Sequence, residues 1–437
     1  MQNSYCKISI AFFFFLLAIL LFVGYTPTND GDGYIEYALM SLKDGQPYPT
    51  HSSIMGQPFI WNIGQINLIA LSLWLTHSIV PVPVLVLMCA LKAVSAYVIA
   101  RIAELLFNHR AGLIAILLYI VYPNNWGQST MLLSEIPSVA LALTALYLTL
   151  KYNSAKAWMA AGLLFAVATW IRPISPIYIG SALLYHFIFN RKLILRRYAC
   201  VVGSYAALLI VFGTSCYLRT GYFLTQPTTL WFNFAANTYE KSTKVEYNQP
   251  VYPKGTARYI ANREKLTALQ CRDIWRQRSL QWLGNHKIAY LKKVPGRIFW
   301  MYYEDIDNIA AFLTDKQHAG DNYVTLPVAS IVHQINSLSP IQYFALVNEI
   351  YYLIIVLMAV TATAQLLRKR EYRSAFLPLF IVVAGSLALV LVSHGETRFK
   401  APFMPFLFML AASVELHLCR LLRGQEFLGH HLPKSNS

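Results

Sequence analysis

Apolar residues run almost unbroken through 8 to 25, 84 to 107, 111 to 123, 137 to 150, 157 to 171, 174 to 190, 198 to 218, 343 to 366, 375 to 393 and 400 to 419. A helix crosses a bilayer with about 20 mostly apolar residues, so the pattern predicts about ten transmembrane helices. Lys7 precedes the first run and no small-residue cleavage site follows it, which reads as an uncleaved first span. An eleventh stretch, 59 to 80, is also apolar, but Gln57, Asn62, Gln65, Asn67 and His77 in and beside it make it a poor span.

Charge settles how that stretch lies. Cations gather in tracts at the ends of the apolar runs: Arg101 to Arg110, Lys151 to Lys156, Arg191 to Arg197, Arg368 to Arg373 and Arg420 to Arg423. Cytoplasmic ends of spans collect Lys and Arg. With a cytoplasmic N-terminus and 59 to 80 not crossing, all five tracts fall in the cytoplasm; if 59 to 80 crossed, they would face outward. The stretch is therefore expected to be an interfacial or re-entrant helix on the outer face. The loop 26 to 83, the connection 124 to 136, the turn around Arg172, the segment 219 to 342 and the loop 394 to 399 then share that face. Three units follow: a membrane module 1–218, an extracytoplasmic segment 219–342 of mixed composition, and a C-terminal membrane unit 343–437.

Composition agrees. Hydrophobic residues make up 56% of the 437 and charged residues only 13%, against about 25% charged in soluble domains. The chain reads as an all-α polytopic membrane protein. The net charge of +16 is explained by the span-end tracts, so no nucleic-acid partner is expected. Six cysteines are scattered without a C-x-x-C or Cys/His cluster, which argues against a thiolate metal site. Cys216 and Cys271 are the pair that the topology could bring to the outer side, with nothing in the spacing to demand a bond.

Three outer connections carry candidate chemistry. In Thr26-Pro-Thr-Asn-Asp-Gly-Asp-Gly-Tyr-Ile-Glu-Tyr-Ala38, Asp32 could cap a helix and leave Asp30 free above the membrane, with Tyr34 one turn on. In Tyr122-Pro-Asn-Asn-Trp-Gly-Gln-Ser-Thr-Met-Leu-Leu-Ser-Glu-Ile-Pro137, Ser134 or Glu135 can cap the next helix, Glu135 adds a second carboxylate, and Asn124 and Trp126 offer polar and stacking contacts. In Ser393-His-Gly-Glu-Thr-Arg-Phe-Lys400, Arg398 and Lys400 suit a phosphate, with His394 and Glu396 beside them. Arg172 is a lone cation at an outer end, where the charge rule would not put one. Tyr302-Tyr-Glu-Asp-Ile-Asp-Asn308 is acidic and aromatic, a pattern suited to a sugar. Carboxylates serving as general base and cations stabilising a departing phosphate point to glycosyl transfer from a polyprenyl-phosphate sugar. Asp30, Asp32 and Glu135 could also hold Mg²⁺ or Mn²⁺ through oxygen, though their spacing does not require a metal.

The ordered set of these segments resembles the GT-C superfamily of integral-membrane glycosyltransferases, above all the branch of protein O-mannosyltransferases and the lipid A aminoarabinose transferase. The set also includes Ala100-Arg101, Phe107-Asn-His-Arg-Ala-Gly112 and Gly162-Leu-Leu-Phe-Ala-Val-Ala-Thr-Trp-Ile-Arg-Pro173. The resemblance implies that Asp30 is the catalytic acid after the first span; Gly31 stands where an acidic partner often follows and Asp32 one place later, so the role could be shared or exchanged between Asp30 and Asp32. It implies that Glu135 is the second acid, and that Arg172 and Arg398 face the phosphate. A bacterial subgroup of similar layout glucosylates O-antigen from undecaprenyl phosphate at the outer face of the inner membrane, which makes a surface glycan, lipid or protein the expected acceptor. The rival reading is a lipid-linked-sugar flippase or another transporter. Against it stand spans nearly free of acids, Lys92 and Glu104 read as lying toward span ends, and the lack of matching halves.

Overall fold

The computed structural model describes residues 2–45, 61–191, 194–227, 229–238, 257–313, 335–393 and 395–414. Among these residues there is no strand. The first half of the chain folds as α1 (Gln2–Val23), α2 (Asn29–Asp44), α3 (Ile63–Thr76), α4 (Val82–Leu106), α5 (His109–Val121), α6 (Pro123–Gln128), α7 (Glu135–Lys151), α8 (Ala155–Ile171), α9 (Ser175–Phe189) and α10 (Ile194–Thr220). The second half adds α11 (Thr229–Asn237), α12 (Ala268–Asn285), α13 (Lys287–Lys292), α14 (Val294–Tyr302), α15 (Pro340–Arg368), α16 (Tyr372–Val392) and α17 (Met404–Ala412).

Each apolar run coincides with a helix. Five of these are long and apolar enough to cross a membrane unaided: α1, α4, α10, α15 and α16. The helices α5, α8 and α9, with 13, 17 and 15 residues, are shorter, and the run 400 to 419 is described only as far as 414. The ambiguous stretch forms α3, whose 14 residues span about 21 Å at 1.5 Å per residue. Length alone does not separate α3 from α5, so the sidedness rests on charge.

Polar contacts sort the helix ends into two groups. At one end Tyr5 Oη bonds His109 Nδ1 at 2.8 Å, Arg101 pairs with Glu104 at 2.8 Å, and Arg101 Nε and the Lys151 amine approach Tyr147. Arg197 donates to Asn153 at 2.6 Å, and Arg373 donates to Asn190 at 3.2 Å. Four of the five cationic tracts thus meet at that end; Arg420 to Arg423 lie outside the described residues. Asp30, Glu135, Arg172 and Arg398 meet at the other.

Local sequence sets the entries to that second end. The N-cap of α2 is Thr28, whose hydroxyl accepts from Gly31 N at 2.9 Å; Asp32, expected as the cap, instead lies in the first turn with Asp30. Gly45, at φ 62°, ends α2 in the left-handed region that favours glycine. Ser134 stands at the N-cap position of α7 without making a cap bond, because its hydroxyl is engaged across the bundle. Gly64 lets α3 lie directly on α8: a Cβ there would come within 2.6 Å of the Trp170 carbonyl.

The segment between α10 and α15 is tied to the bundle through α14 and the turn after it. Arg297 Nη1 donates to Val390 O at 3.0 Å, Tyr302 and Ser386 share a bond at 2.7 Å, and Tyr290 bonds Leu391 O. Cys216 and Cys271 are both free thiols.

Candidate active site

Two arginine–carboxylate pairs organise the second end of the bundle. Asp30 is the second residue of α2, where the exposed N–H groups of a helix start favour an anion. Arg398 arrives from the other end of the chain on a 3-10 turn, Thr397–Lys400, and its Nη1 donates to Asp30 Oδ2 at 2.7 Å. Its Nε lies 3.1 Å from Glu396. Asp32 has a different partner: it accepts from the Tyr25 hydroxyl at 2.7 Å. Burial, then that carboxylate, pushes the Tyr25 hydroxyl well above the usual phenol range.

Arg172, at the C-cap of α8, lies 3.0 Å from Glu135 and donates to Ser134 Oγ, also at 3.0 Å. Asn62, just before α3, donates to the Tyr34 hydroxyl at 3.0 Å and to Ser134 Oγ at 3.3 Å. Tyr34 is buried against Trp61 rather than open to a ligand. Phe399 joins the two pairs, since the guanidinium carbons of Arg172 and Arg398 lie 5.9 and 5.8 Å from its ring centroid. Tyr34 also senses both pairs: burial raises its hydroxyl most, Asp30 adds to the rise and Arg172 opposes it.

Lys400 does not join this group. Only 1% exposed, it pairs with Asp305 at 2.9 Å and donates to Glu304 O and Thr397 O at 2.5 and 3.0 Å. With its three hydrogens taken it cannot hold a phosphate, contrary to the sequence reading. Asp305 also bonds the Tyr122 hydroxyl. Burial outweighs the Lys400 cation and lifts the Asp305 carboxyl from 3.8 to about 7. Asn124, expected at a sugar, is likewise spent on protein: its Oδ1 accepts from Asn308 N at 3.0 Å and its Nδ2 donates to Tyr122 at 3.1 Å. Trp126 donates to Ile120 O at 2.8 Å and stacks on Phe344. Both expected ligand contacts are braces between α6 and its surroundings. His394 lies outside the described residues.

A cavity of ≈ 40 Å³ is lined by Glu135 and Arg398 together with Lys92, Gln128, Asp305 and Lys400. Lys92 was expected toward a span end, yet it is the eleventh of the 25 residues of α4 and is buried. A lysine inside an apolar helix is itself the signal that could have marked it. Asp305 was signalled only by the acids of 304 to 307, and Phe399 by nothing but its place between two cations. Of the carboxylates considered for Mg²⁺ or Mn²⁺, Asp30 and Glu135 each face a different arginine; among the described residues no group of three or more His, Cys, Asp or Glu is placed to share an ion.

The family model for dolichyl-phosphate-mannose-protein mannosyltransferases matches residues 66–217. No curated protein sequence matches the chain. Among solved structures, the oligosaccharyltransferase of Archaeoglobus fulgidus in its apo form superposes with a TM-score of 0.52 at 11% identity, covering 99% of this chain and 53% of that one. The chain therefore spans about half the length of that enzyme. The same archaeal protein with an inhibitory peptide and a dolichol-phosphate gives a TM-score of 0.46 at 11% identity over 98% and 52% of the two chains. The chain thus shares its fold with the apo archaeal enzyme, and its residues 66–217 are similar to the dolichyl-phosphate-mannose-protein mannosyltransferase family.

Proposed function

We propose that the protein transfers a hexose from a polyprenyl-phosphate carrier to a surface glycan, lipid or protein acceptor. In this reading it does so at the outer face of a bacterial inner membrane, with glucosylation of O-antigen as the sharpest form. The observation that carries the reading is the Asp30–Arg398 pair at 2.7 Å, with Arg172–Glu135 across the Phe399 ring. The mannosyltransferase family match over the module that supplies Glu135 and Arg172 supports it.

The acceptor hydroxyl oxygen attacks the anomeric carbon and passes its proton to the Asp30 carboxylate. The bond from that carbon to the carrier oxygen breaks, and its electron pair leaves with the phosphate. Arg398 and Arg172 face the charge that builds on the leaving group, where preformed donors act most strongly. A phosphate that engages Arg398 competes with Asp30 for it, so donor binding frees the base. Direct attack inverts the anomeric configuration. Asp32, held by Tyr25, has a lesser part.

The test is transfer from a radiolabelled polyprenyl-phosphate hexose. Asp30→Asn is expected to lower the rate by roughly 10²- to 10⁴-fold, the range of a lost general base, while Asp32→Asn costs far less. Full activity in both single variants and the double would sink the assignment.

A further inference from the structure

Lys92 enters no step above, although the cavity it borders opens beside Glu135 and Arg398. Its Nζ donates to Asn125 Oδ1 at 2.9 Å and Gln128 Oε1 at 2.7 Å. The amide of Asn125 is held in that orientation because its Nδ2 donates to Tyr119 O at 2.8 Å. In its charged form Lys92 has three hydrogens: the amides take two, the third has only the Tyr119 ring, 5.9 Å from Nζ to its centroid, and among the described residues no carboxylate pairs with Lys92. A buried donor without its complement is costly. The cavity has room for about three waters at ~10–15 Å³ each, enough for the edge of a sugar ring but not the whole ring.

Resting on the transferase reading, we infer that Lys92 is a specificity-determining residue: a hydroxyl on one edge of the transferred sugar enters this cavity and accepts the remaining Lys92 hydrogen. The sugar ring then lies at the mouth, between Glu135 and Arg398. The site takes a neutral hexose and disfavours a sugar carrying a free ammonium at that position, because an ammonium has no lone pair to accept the Lys92 hydrogen.

The experiment uses the full chain in nanodiscs and a set of polyprenyl-phosphate hexoses, each lacking one hydroxyl. One deoxy donor is expected to lose roughly 10- to 100-fold in kcat/KM with the wild type, as for a hydrogen bond to a charged group. In Lys92→Met that penalty shrinks to near unity, while Lys92→Arg keeps it. A donor with a free amino group at the same position is poorly used by the wild type, an outcome that depends on no variant folding. Two results each overturn the inference: equal penalties in wild type and Lys92→Met, or use of the amino donor as readily as the hydroxyl. A wild type that transfers from no polyprenyl-phosphate sugar refutes the transferase reading and the inference together, whereas transfer without a Lys92-linked penalty refutes the inference alone.

Discussion

Replacing Lys400 with Met is the sharpest test of the buried charge that fastens the turn after α14 to the bundle. Methionine keeps most of the side-chain volume and removes the ammonium that lies 2.9 Å from Asp305 and 2.5 and 3.0 Å from two carbonyls. Asp305 has a folded-state pKa of about 7 against 3.8. Its raised value means that its contribution to stability is greatest below about pH 4 and is lost as the pH rises through 7, a loss that Lys400 limits. At pH 8 the wild type holds Asp305 as a carboxylate against Lys400; in Lys400→Met the carboxyl loses the cation that lowers its pKa and takes up a proton, which adds about 1.4 kcal/mol for the one pH unit above 7. At pH 5.5 Asp305 holds its proton, and the cost falls to the two carbonyls left without a donor, about 1–3 kcal/mol. The difference of ~1.4 kcal/mol between the two pH values corresponds to about a 10-fold change in the unfolding equilibrium. Melting followed by tryptophan fluorescence in detergent should show a larger drop in Tm at pH 8 than at pH 5.5. Adding Asp305→Asn should recover much of the loss at pH 8. Equal drops at both pH values, or no recovery in the double variant, would refute the assignment of Asp305 as the titrating partner.

Gly64→Ala puts a Cβ within 2.6 Å of the Trp170 carbonyl, a backbone atom that cannot swing away. It should cost about 1–3 kcal/mol in melting and lower transfer through Asn62; an unchanged melt would show that α3 does not rest on α8. Arg172→Lys keeps the charge but loses the planar fork and should lower transfer by about 10-fold or more, with an unaltered rate counting against Arg172 at the phosphate. Impermeant maleimide should label a cysteine at position 77 but not one at 153 in intact cells, and labelling of both or of neither would overturn the sidedness.

What could be read in advance follows from what each signal depends on. Helix positions were legible because a membrane tolerates only long apolar runs, and the cationic tracts marked one end through their own local charge. Asp30, Glu135, Arg172 and Arg398 were legible because cations and acids stranded on the uncharged side have few other uses. Their partners were not. Asp30 meets Arg398 across 368 positions, and no local pattern encodes which acid a given arginine reaches. Asn124 and Trp126 misled because amide and indole groups brace protein as readily as they bind sugar. Lys92 was misplaced although the run 84 to 107 already puts it nine residues in, because a lone lysine reads as a span-end cation.

Arg398 and Lys400 show why adjacency in sequence is a poor guide to shared function. Both sit on the turn Thr397–Lys400, and as a pair of cations they read as one phosphate clamp. A 3-10 turn advances about 120° per residue, so side chains two apart diverge instead of sharing a face. Arg398 therefore reaches out to Asp30 while Lys400 points in to Asp305. One short turn carries a cation to the carboxylate on α2 and another to Asp305, in the turn after α14 that packs on α6 through Asn308. Gly127 permits that packing, since any Cβ there would collide with Asn308 O. A force on Arg398, such as a phosphate competing with Asp30, is borne by a turn anchored two residues later through Lys400. The buried pair thus holds the arginine in register from behind, and its absence from direct chemistry does not make it dispensable.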